Sequence, residues 1–569
     1  MSQVSSSQYI AEAFKAYGVT HFFYVPVIIP GACKEMQRMG ITPVMTHGEK
    51  AATYMADGYA RVSHRVGVCG AQTIGGTNLA AGLRDPYLAR VPVLAISGGK
   101  LPQHRYRLTY QEIDDMPIYQ SITKFNATVE NGERLPDLLN TAFRAATTGM
   151  PQPVHLELPG FAGMNMGDVD PEYEVDRRYG QYPAIRSLAP AEDIDAALNA
   201  IGKAQRPVIV AGGGVASSQA GPELVALARF LSIPVATALN AKGVILDADP
   251  LCIGIVGEYS RSCANLAVHE ADLVIYIGSL TGGLVTRAWS IPEKSAKVIH
   301  IDINPENLGR NYQHTIGVCG DAKAVLLQLT EAMKQSGKPE PRKAWLDRVG
   351  KLKAEWQENI KPRETSDAVP MRPERLSREI SDALPENGIV VGDTGHAGLW
   401  MAQNFYATSE KQTFIRAHGS LGWSFPAAIG AKCAAPDRPV VCFTGDGGFY
   451  YHMAEMETAV RYGINVICVV NNNESLNQEQ GLWAGTTEFD KNWRFHSVDL
   501  TAVASAMGCL AMKIERPQDV RPALEKAFQA NRPVIIEAKT DWRISAQPSW
   551  APEGLPGLYP PPGEQKNVK

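Results

Sequence analysis

No stretch of this sequence approaches the roughly 20 consecutive apolar residues that a bilayer-spanning helix needs. The opening "MSQVSSSQYIAEAF" has neither a basic n-region nor a continuous apolar h-region, so it does not read as a secretory signal. Neither sign of charge is in excess. With 55 Lys and Arg against 59 Asp and Glu, the net charge of -4 is small for 569 residues and gives no reason to expect nucleic acid or an anionic membrane as partner. The nine cysteines are scattered, without a C-x-x-C pair, which argues against a disulfide framework or a thiolate zinc site. The expectation is a reduced, cytoplasmic protein acting on a small molecule. The sequence has no short internal repeat.

What the chain does have is size and rhythm. At 45% hydrophobic and 20% charged, its length suits about three to four globular domains. Val- and Ile-rich runs recur: "VGVCGAQ", "VPVLAISGG", "PVHLELP", "RPVIVAGGG", "IPVATAL", "ADLVIYIGS", "KVIHIDI", "GIVVGD", "PVVCFTGD", "INVICVVNNN" and "PVIIEAKT". They read as buried parallel strands, and most end on Gly, Asn, Asp or Ser. Helical patterns such as "AGPELVALARFLS" and "EMETAVRYG" separate many of them. The fold class expected is α/β, with three α/β domains built on mainly parallel sheets. Residues 161–190 and 334–375 read as linkers, the second with a helical spacing in "AWLDRVGKLKAEWQEN". The expected domains are 1–165, 190–340 and 370–550, followed by a Pro-rich tail over 551–569.

Two strand ends carry chemistry. "VVCFTGDGGFYYH" closes a strand on Gly445-Asp446-Gly447, and an amphipathic helix is expected from about Met453. The next strand delivers Asn471, Asn472 and Asn473 to the same sheet edge. A carboxylate and an amide oxygen at adjacent strand ends suit a hard cation such as Mg²⁺ that also grips phosphate oxygens. A bare G-D-G is more often a simple corner; the Asn triplet changes that weighting.

The pair resembles the thiamine-diphosphate motif, which opens on G-D-G and closes on N-N. The resemblance implies Asp446 and Asn473 as Mg²⁺ ligands by side chain, Ser475 as a ligand by its carbonyl, and Gly447 and Gly448 at the diphosphate. "THGEKAATYMADGYAR" is similar to the activating segment of the acetohydroxyacid synthases and their superfamily, which includes 2-hydroxyacyl-CoA lyases and dione hydrolases. It puts Glu49 opposite N1' of the cofactor's aminopyrimidine, where its proton favours the imino form; otherwise Glu49 only complements a helix dipole. By the same resemblance "AHGSLGWSFPAAIGA" supplies the Gly419 carbonyl and the Leu421 wedge that bends the cofactor, and "GDTGHAGLWMAQ" supplies Thr394, Gly395 and His396 to the diphosphate. "YQEIDDM" puts Gln111 at the reacting centre. In the middle domain Gly212, Gly213 and Gly214, with Asp302 in "HIDINPENLGRNY", resemble a site for FAD or ADP. The active site is then shared between two subunits, making a homodimer at least and a homotetramer in the fuller expectation.

The sequence also departs from the synthase pattern. Val27, Ile28 and Ile29 stand where a Gly-rich turn lines the cavity, which predicts a bulky apolar wall. Asn477, Gln478 and Glu479 follow the Asn triplet and are expected near cofactor and substrate, Glu479 reading more simply as an exposed charge. Lys100, His104, Arg105 and Arg107 form a basic group, read chiefly as a solvated loop. The expected reaction makes or breaks a C–C bond beside a carbonyl, on a 2-oxo acid, with a 2-hydroxyacyl-CoA or a 1,2-dione as alternatives. A flavin or nicotinamide oxidoreductase is the more distant alternative, since it leaves Glu49, Asp446 and Asn473 without work.

Overall fold

The computed structural model describes residues 4–169, 175–336, 340–480 and 487–553. Three six-stranded sheets organise them, and every pairing within the three is parallel. The N-terminal sheet runs Thr42–Met45, His21–Tyr24, Gly67–Ala71, Val93–Gly98, Val154–Leu158, Phe125–Thr128. The middle sheet runs Cys252–Ile255, Val235–Thr237, Pro207–Ala211, Leu273–Ile277, Lys297–Asp302, Thr315–Cys319. The C-terminal sheet runs Thr413–Arg416, Ile389–Gly392, Val440–Gly445, Ile467–Asn472, Val534–Lys539, Leu510–Ile514. Every apolar run read above as a strand is one. The strands that went unread are both edges of each six-stranded sheet, His21–Tyr24, and the short antiparallel pair Val4–Ser5 and Asp168–Val169. Edges such as Phe125–Thr128 are only half-buried, so their sequences need not be uniformly apolar.

The N- and C-terminal domains meet through two helices of small residues, Glu49–Ser63 and Ser424–Ala434. A Cβ on Gly58 would stand 2.1 Å from the Ala427 carbonyl oxygen, and one on Gly430 would stand 1.9 Å from that of Met55. Both glycines are therefore required by backbone-to-backbone approach. Further along, the Tyr462 hydroxyl accepts the N–H of Met45 at 2.9 Å, and Glu455 accepts that of His47 at 3.1 Å.

The expected linker helix is long, Lys343–Glu364, and buries Trp345, Val349, Leu352, Trp356 and Ile360 on the middle domain. The helix expected from about Met453 begins at Glu455 and runs to Arg461, and ahead of it the chain turns helical directly after the strand, over Asp446–Tyr450. Gly445, extended at φ -78°, ψ 161°, caps that first turn, which lets the acidic residue open it. All nine cysteines are unpaired. Among the described residues no helix is long and apolar enough to cross a membrane. The Pro-rich tail from 554 onward lies outside the described residues.

Candidate active site

Strands Ile389–Gly392 and Val440–Gly445 are neighbours at the point where the order of the C-terminal sheet reverses, and ligands of open α/β sheets sit beyond such strand ends. Asp446 follows directly and is 1% exposed. Its Oδ1 accepts the N–H of Gly447 at 3.0 Å, and its Oδ2 accepts that of Ser475 at 3.1 Å. Burial raises its pKa to about 7, against the opposing pull of those backbone N–H groups. The Ser475 hydroxyl donates to Asn473 Oδ1 at 2.9 Å, and both residues are buried. The other two asparagines are engaged elsewhere: Asn471 accepts from Thr540, and Asn472 donates to Glu537. Only Asn473 of the triplet is thus left on the Asp446 side. A buried carboxyl whose charge burial opposes, beside amide and hydroxyl oxygens, is a donor set that a divalent cation fits.

Across the same edge, Thr394 caps the helix Gly395–Asn404, and Gly395 takes a φ of 66° that favours glycine. His396 is half-buried, and the desolvation of its ring lowers its pKa to about 4, so it is neutral. Its Nδ1 lies 2.6 Å from Asn477 Oδ1; that acceptor puts the hydrogen on Nδ1 and leaves Nε2 as an acceptor. Asn477 in turn donates through Nδ2 to the Trp542 carbonyl. A Cβ on Gly395 would come within 3.1 Å of Gln478 Oε1, so the turn Asn477–Glu479 abuts the Thr394–His396 loop. Gln478 and Glu479 are half-buried there. Gly447 and Gly448 are tightly packed, facing Leu476 at 2.6 Å and Thr444 at 2.8 Å from the position of a Cβ. The open lip lies at Gly445, where a Cβ would meet nothing within 4 Å.

The loop between the strand Thr413–Arg416 and the helix Ser424–Ala434 carries Gly419 and Leu421. Gly419 is exposed, with a φ of 155° and nothing within 4 Å of where a Cβ would sit; Leu421 is half-buried. Asp393, fully buried and unremarked in the sequence, ties this loop to the strand end. It accepts N–H groups from Thr394, Gly422 and Ser424, and hydroxyls from Ser424 and Thr444. Its one visible signal was its place just ahead of Thr394 after a buried strand.

In the N-terminal domain, Glu49 opens its helix, accepts from Asn78 Nδ2 at 3.1 Å, and lies against Gly75. Gln111 has a φ of 58°, and its Oε1 is buried without a partner. The apolar wall needs correcting. Val27 is 41% exposed, but Ile28 and Ile29 are 1% and 2% exposed and belong to the domain core, because packing draws both side chains inward. The basic group is also divided: His104 and Arg107 are exposed, whereas the Lys100 side chain is only 10% exposed and lies 3.9 Å from Glu157. Beside it Asp115 is buried with both oxygens unpartnered, and burial raises its pKa against the pull of Lys100. Nothing in the sequence marked Asp115. Among the described residues no hydrogen bond joins Glu49 to Asp446: the first is half-buried beside Asn78 and Gly75, and the second is enclosed by Gly447 and Ser475.

Comparison with known proteins matches each domain. Residues 5–118 fit the thiamine pyrophosphate enzyme N-terminal TPP binding domain, 194–329 the central domain, and 393–538 the C-terminal TPP binding domain. The probable acetolactate synthase large subunit of Methanocaldococcus jannaschii is 33% identical, over 99% of this chain and 95% of its own length. The chain belongs to the thiamine pyrophosphate enzyme family. The acetolactate synthase large subunit of Haemophilus influenzae is 28% identical, over 95% of both chains. The glyoxylate carboligase of Escherichia coli O157:H7 is 28% identical, over 94% of this chain and 93% of its own length.

In this thiamine pyrophosphate enzyme a cleft of about 340 Å³, within the size range of small-molecule sites, lies where the middle domain meets the other two. Gly213, Asn240, Asp302, Arg90, Arg416 and His418 are among its lining residues. Asp302 ends the strand Lys297–Asp302 and accepts from the Asn304 N–H and from Asn307 Nδ2. Gly212 and Gly214 pack on the backbone of Gly278 and Ser279, so their lack of a side chain serves strand–strand approach as well as the cleft. Gly213, of the three, sits on the open side near Asn240.

Proposed function

We propose that this enzyme uses thiamine diphosphate and Mg²⁺ to decarboxylate a 2-oxo acid and join the remaining acyl carbon to a second carbonyl compound. The observation that carries this reading is Asp446: a buried carboxylate with no cation beside it among the described residues, grouped with Asn473 and Ser475 at the switch point of the sheet. Asp446 and Asn473 hold Mg²⁺ by side-chain oxygens and Ser475 by its carbonyl. Thr394, Gly395, His396 and Asn477 line the diphosphate from one side, and the Gly447 and Gly448 N–H groups from the other. Bound there, thiamine diphosphate supplies a nucleophilic carbon and an electron sink. Gly419 accepts from the 4'-amino group, Leu421 supports the bend, and Glu49 holds the proton opposite N1'. Gln111, Val27, Gln478 and Glu479 face the substrate.

Glu49 comes from a second copy. The N-terminal domain that carries it exposes Val27, Ile74, Tyr106, Leu108, Tyr110 and Phe161, with Tyr106 96% and Leu108 95% exposed, and so much exposed apolar surface calls for a partner. A homodimer, paired further into a homotetramer in the cytoplasm, is the working assembly. The middle cleft takes the ADP portion of FAD or ADP itself, with Asp302 placed to accept ribose hydroxyls.

Two observations favour a 2-oxo acid over a 2-hydroxyacyl-CoA or a 1,2-dione. Ile28 and Ile29 turn inward, which leaves space above the cofactor for an acceptor. Lys100 turns toward Glu157, with its side chain 10% exposed, and is not presented to a CoA phosphate. The test is mass spectrometry on holoenzyme given pyruvate alone and pyruvate with glyoxylate. Carbon dioxide and a coupled hydroxy-ketone product are expected. Cleavage of a 2-hydroxyacyl-CoA or a dione, with no coupling from any 2-oxo acid, would overturn the assignment.

A further inference from the structure

We infer that Asp85, a residue of the N-terminal domain, is a positioning residue that aims the Gly419 carbonyl at the cofactor. The inference rests on the cofactor reading above. Asp85 lies in the helix Gly76–Ala89 and is fully buried. Its carboxylate accepts three backbone hydrogen bonds from the C-terminal domain loop: two from the His418 N–H, 3.0 Å to each oxygen, and one from the Ser420 N–H at 3.1 Å. These are the two N–H groups on either side of Gly419.

The geometry then determines where the intervening carbonyl points. The Gly419–Ser420 peptide is not among the cis bonds, and in a planar trans peptide the C=O and N–H point in opposite directions. Anchoring the Ser420 N–H on Asp85 therefore turns the Gly419 carbonyl away from the domain contact, toward the side where Gly419 is exposed and a Cβ would meet nothing. Gly419 itself supplies the unusual φ of 155° that this arrangement needs.

Asp85 is fixed from behind. Arg61 Nη2 donates to it at 3.1 Å and to Asp57 at 2.7 Å, Arg61 Nη1 donates to the Arg416 carbonyl, and Trp423 Nε1 donates to Asp57. Arg61 stacks over the Trp423 ring at 4.5 Å. Buried charges of this kind persist only when their hydrogen-bonding capacity is filled, and here it is filled largely by the cofactor loop. The helix Glu49–Ser63 thus has two duties. Its first residue, Glu49, faces the site shared with a second copy, while at its other end Arg61 holds Asp85 and Asp57 ties the helix to Trp423, outside the N–H groups that Asp85 accepts.

An amide at this position keeps the size but loses the anchor in either orientation: with its nitrogen at Oδ2 it faces the His418 and Ser420 N–H groups with a donor, and with its nitrogen at Oδ1 it faces Arg61 Nη2 with a donor and carries no charge. The test measures C2 proton–deuterium exchange of bound thiamine diphosphate by NMR, together with cofactor affinity and thermal stability. It compares wild type, Asp85→Asn, Asp57→Asn and Glu49→Gln, each loaded with Mg²⁺. Asp85→Asn should bind the cofactor yet slow exchange by roughly ten-fold or more, the effect of one lost hydrogen bond to a charged acceptor. Asp57→Asn disturbs the same buried cluster without touching either N–H; it should lose thermal stability but exchange near the wild-type rate. If Asp85→Asn does not fold, Ser420→Pro deletes the second N–H and leaves the carboxylate in place, and it should slow exchange in the same way. Wild-type exchange in Asp85→Asn, or in Ser420→Pro if that variant is needed, overturns the inference, as does equal slowing in Asp57→Asn. If Glu49→Gln also exchanges like wild type, the cofactor reading has failed and the inference falls with it. Slow Glu49→Gln with fast Asp85→Asn removes the Asp85 role alone.

Discussion

Replacing Asp446 with Asn should make the metal-free protein less sensitive to pH. Burial raises this carboxyl from 3.8 to about 7 in the folded chain. The folded state therefore keeps a proton that the unfolded state has released between those two values, so stability falls as pH rises through that window and levels off above about pH 7. The slope is about 1.4 kcal/mol per pH unit, and the full cost of the ionised, metal-free carboxylate near pH 8 is about 4 kcal/mol. Urea unfolding of chelator-treated protein between about pH 5 and pH 8 reads it directly. The Asp446→Asn variant should gain on wild type by about 3 kcal/mol across that range, whatever its offset from the altered contact with the Ser475 N–H. Adding Mg²⁺ and thiamine diphosphate should stabilise wild type increasingly up to about pH 7 and leave the variant almost unchanged. Parallel pH curves for the two metal-free proteins would refute the reasoning, because Asp446 would then be ionised at no cost and would not be waiting for a cation.

Other outcomes follow from the same geometry. Gly430→Ala forces a Cβ to within 1.9 Å of the Met55 carbonyl oxygen, so it should cost about 3 kcal/mol or more in denaturant unfolding, with the two helices forced apart. Asn477→Ala strands the His396 Nδ1–H and removes a donor to the Trp542 carbonyl; thiamine diphosphate affinity, measured by calorimetry, should drop about ten-fold. Tyr106→Ser with Leu108→Ser should leave each chain folded by circular dichroism yet shift sedimentation from dimer toward monomer.

Much of this was legible in the sequence because buried parallel strands are apolar on both faces. "ADLVIYIGS" and "PVVCFTGD" announce themselves, and their last residues mark the ligand-bearing edge. Edge strands were not legible, since Thr315–Cys319 and Leu510–Ile514 bury little and have no such constraint on composition. Glu49, Asp446 and Asn473 could be read from local spacing. Asp393 and Asp85 could not, because each works through partners in other elements, Asp85 lying some 330 residues from the N–H groups it accepts, and Asp115 could not, because only its burial in the folded chain sets it apart. The bulky wall failed for a related reason. The stretch "VIIP" gives composition, but which side chains face the cavity depends on a turn in which Ile29 takes a φ of 36° before the helix Pro30–Arg38. The glycines of "ADGYAR" and "AAIGA", read only as family motifs, proved to be reciprocal contacts between two helices.

The central claim is that one active site is built from Glu49 of one chain and Asp446 of another. Mixing two defective variants tests it most directly. Glu49→Gln and Asp446→Ala should each fail to catalyse rapid C2 exchange of thiamine diphosphate. After dissociation and random reassembly, about half the dimers carry one chain of each kind, and each of these has one intact site of two, so about a quarter of wild-type exchange should return. If mixing restores nothing while sedimentation confirms mixed dimers, the two residues serve a site within a single chain, and the shared-site account is wrong.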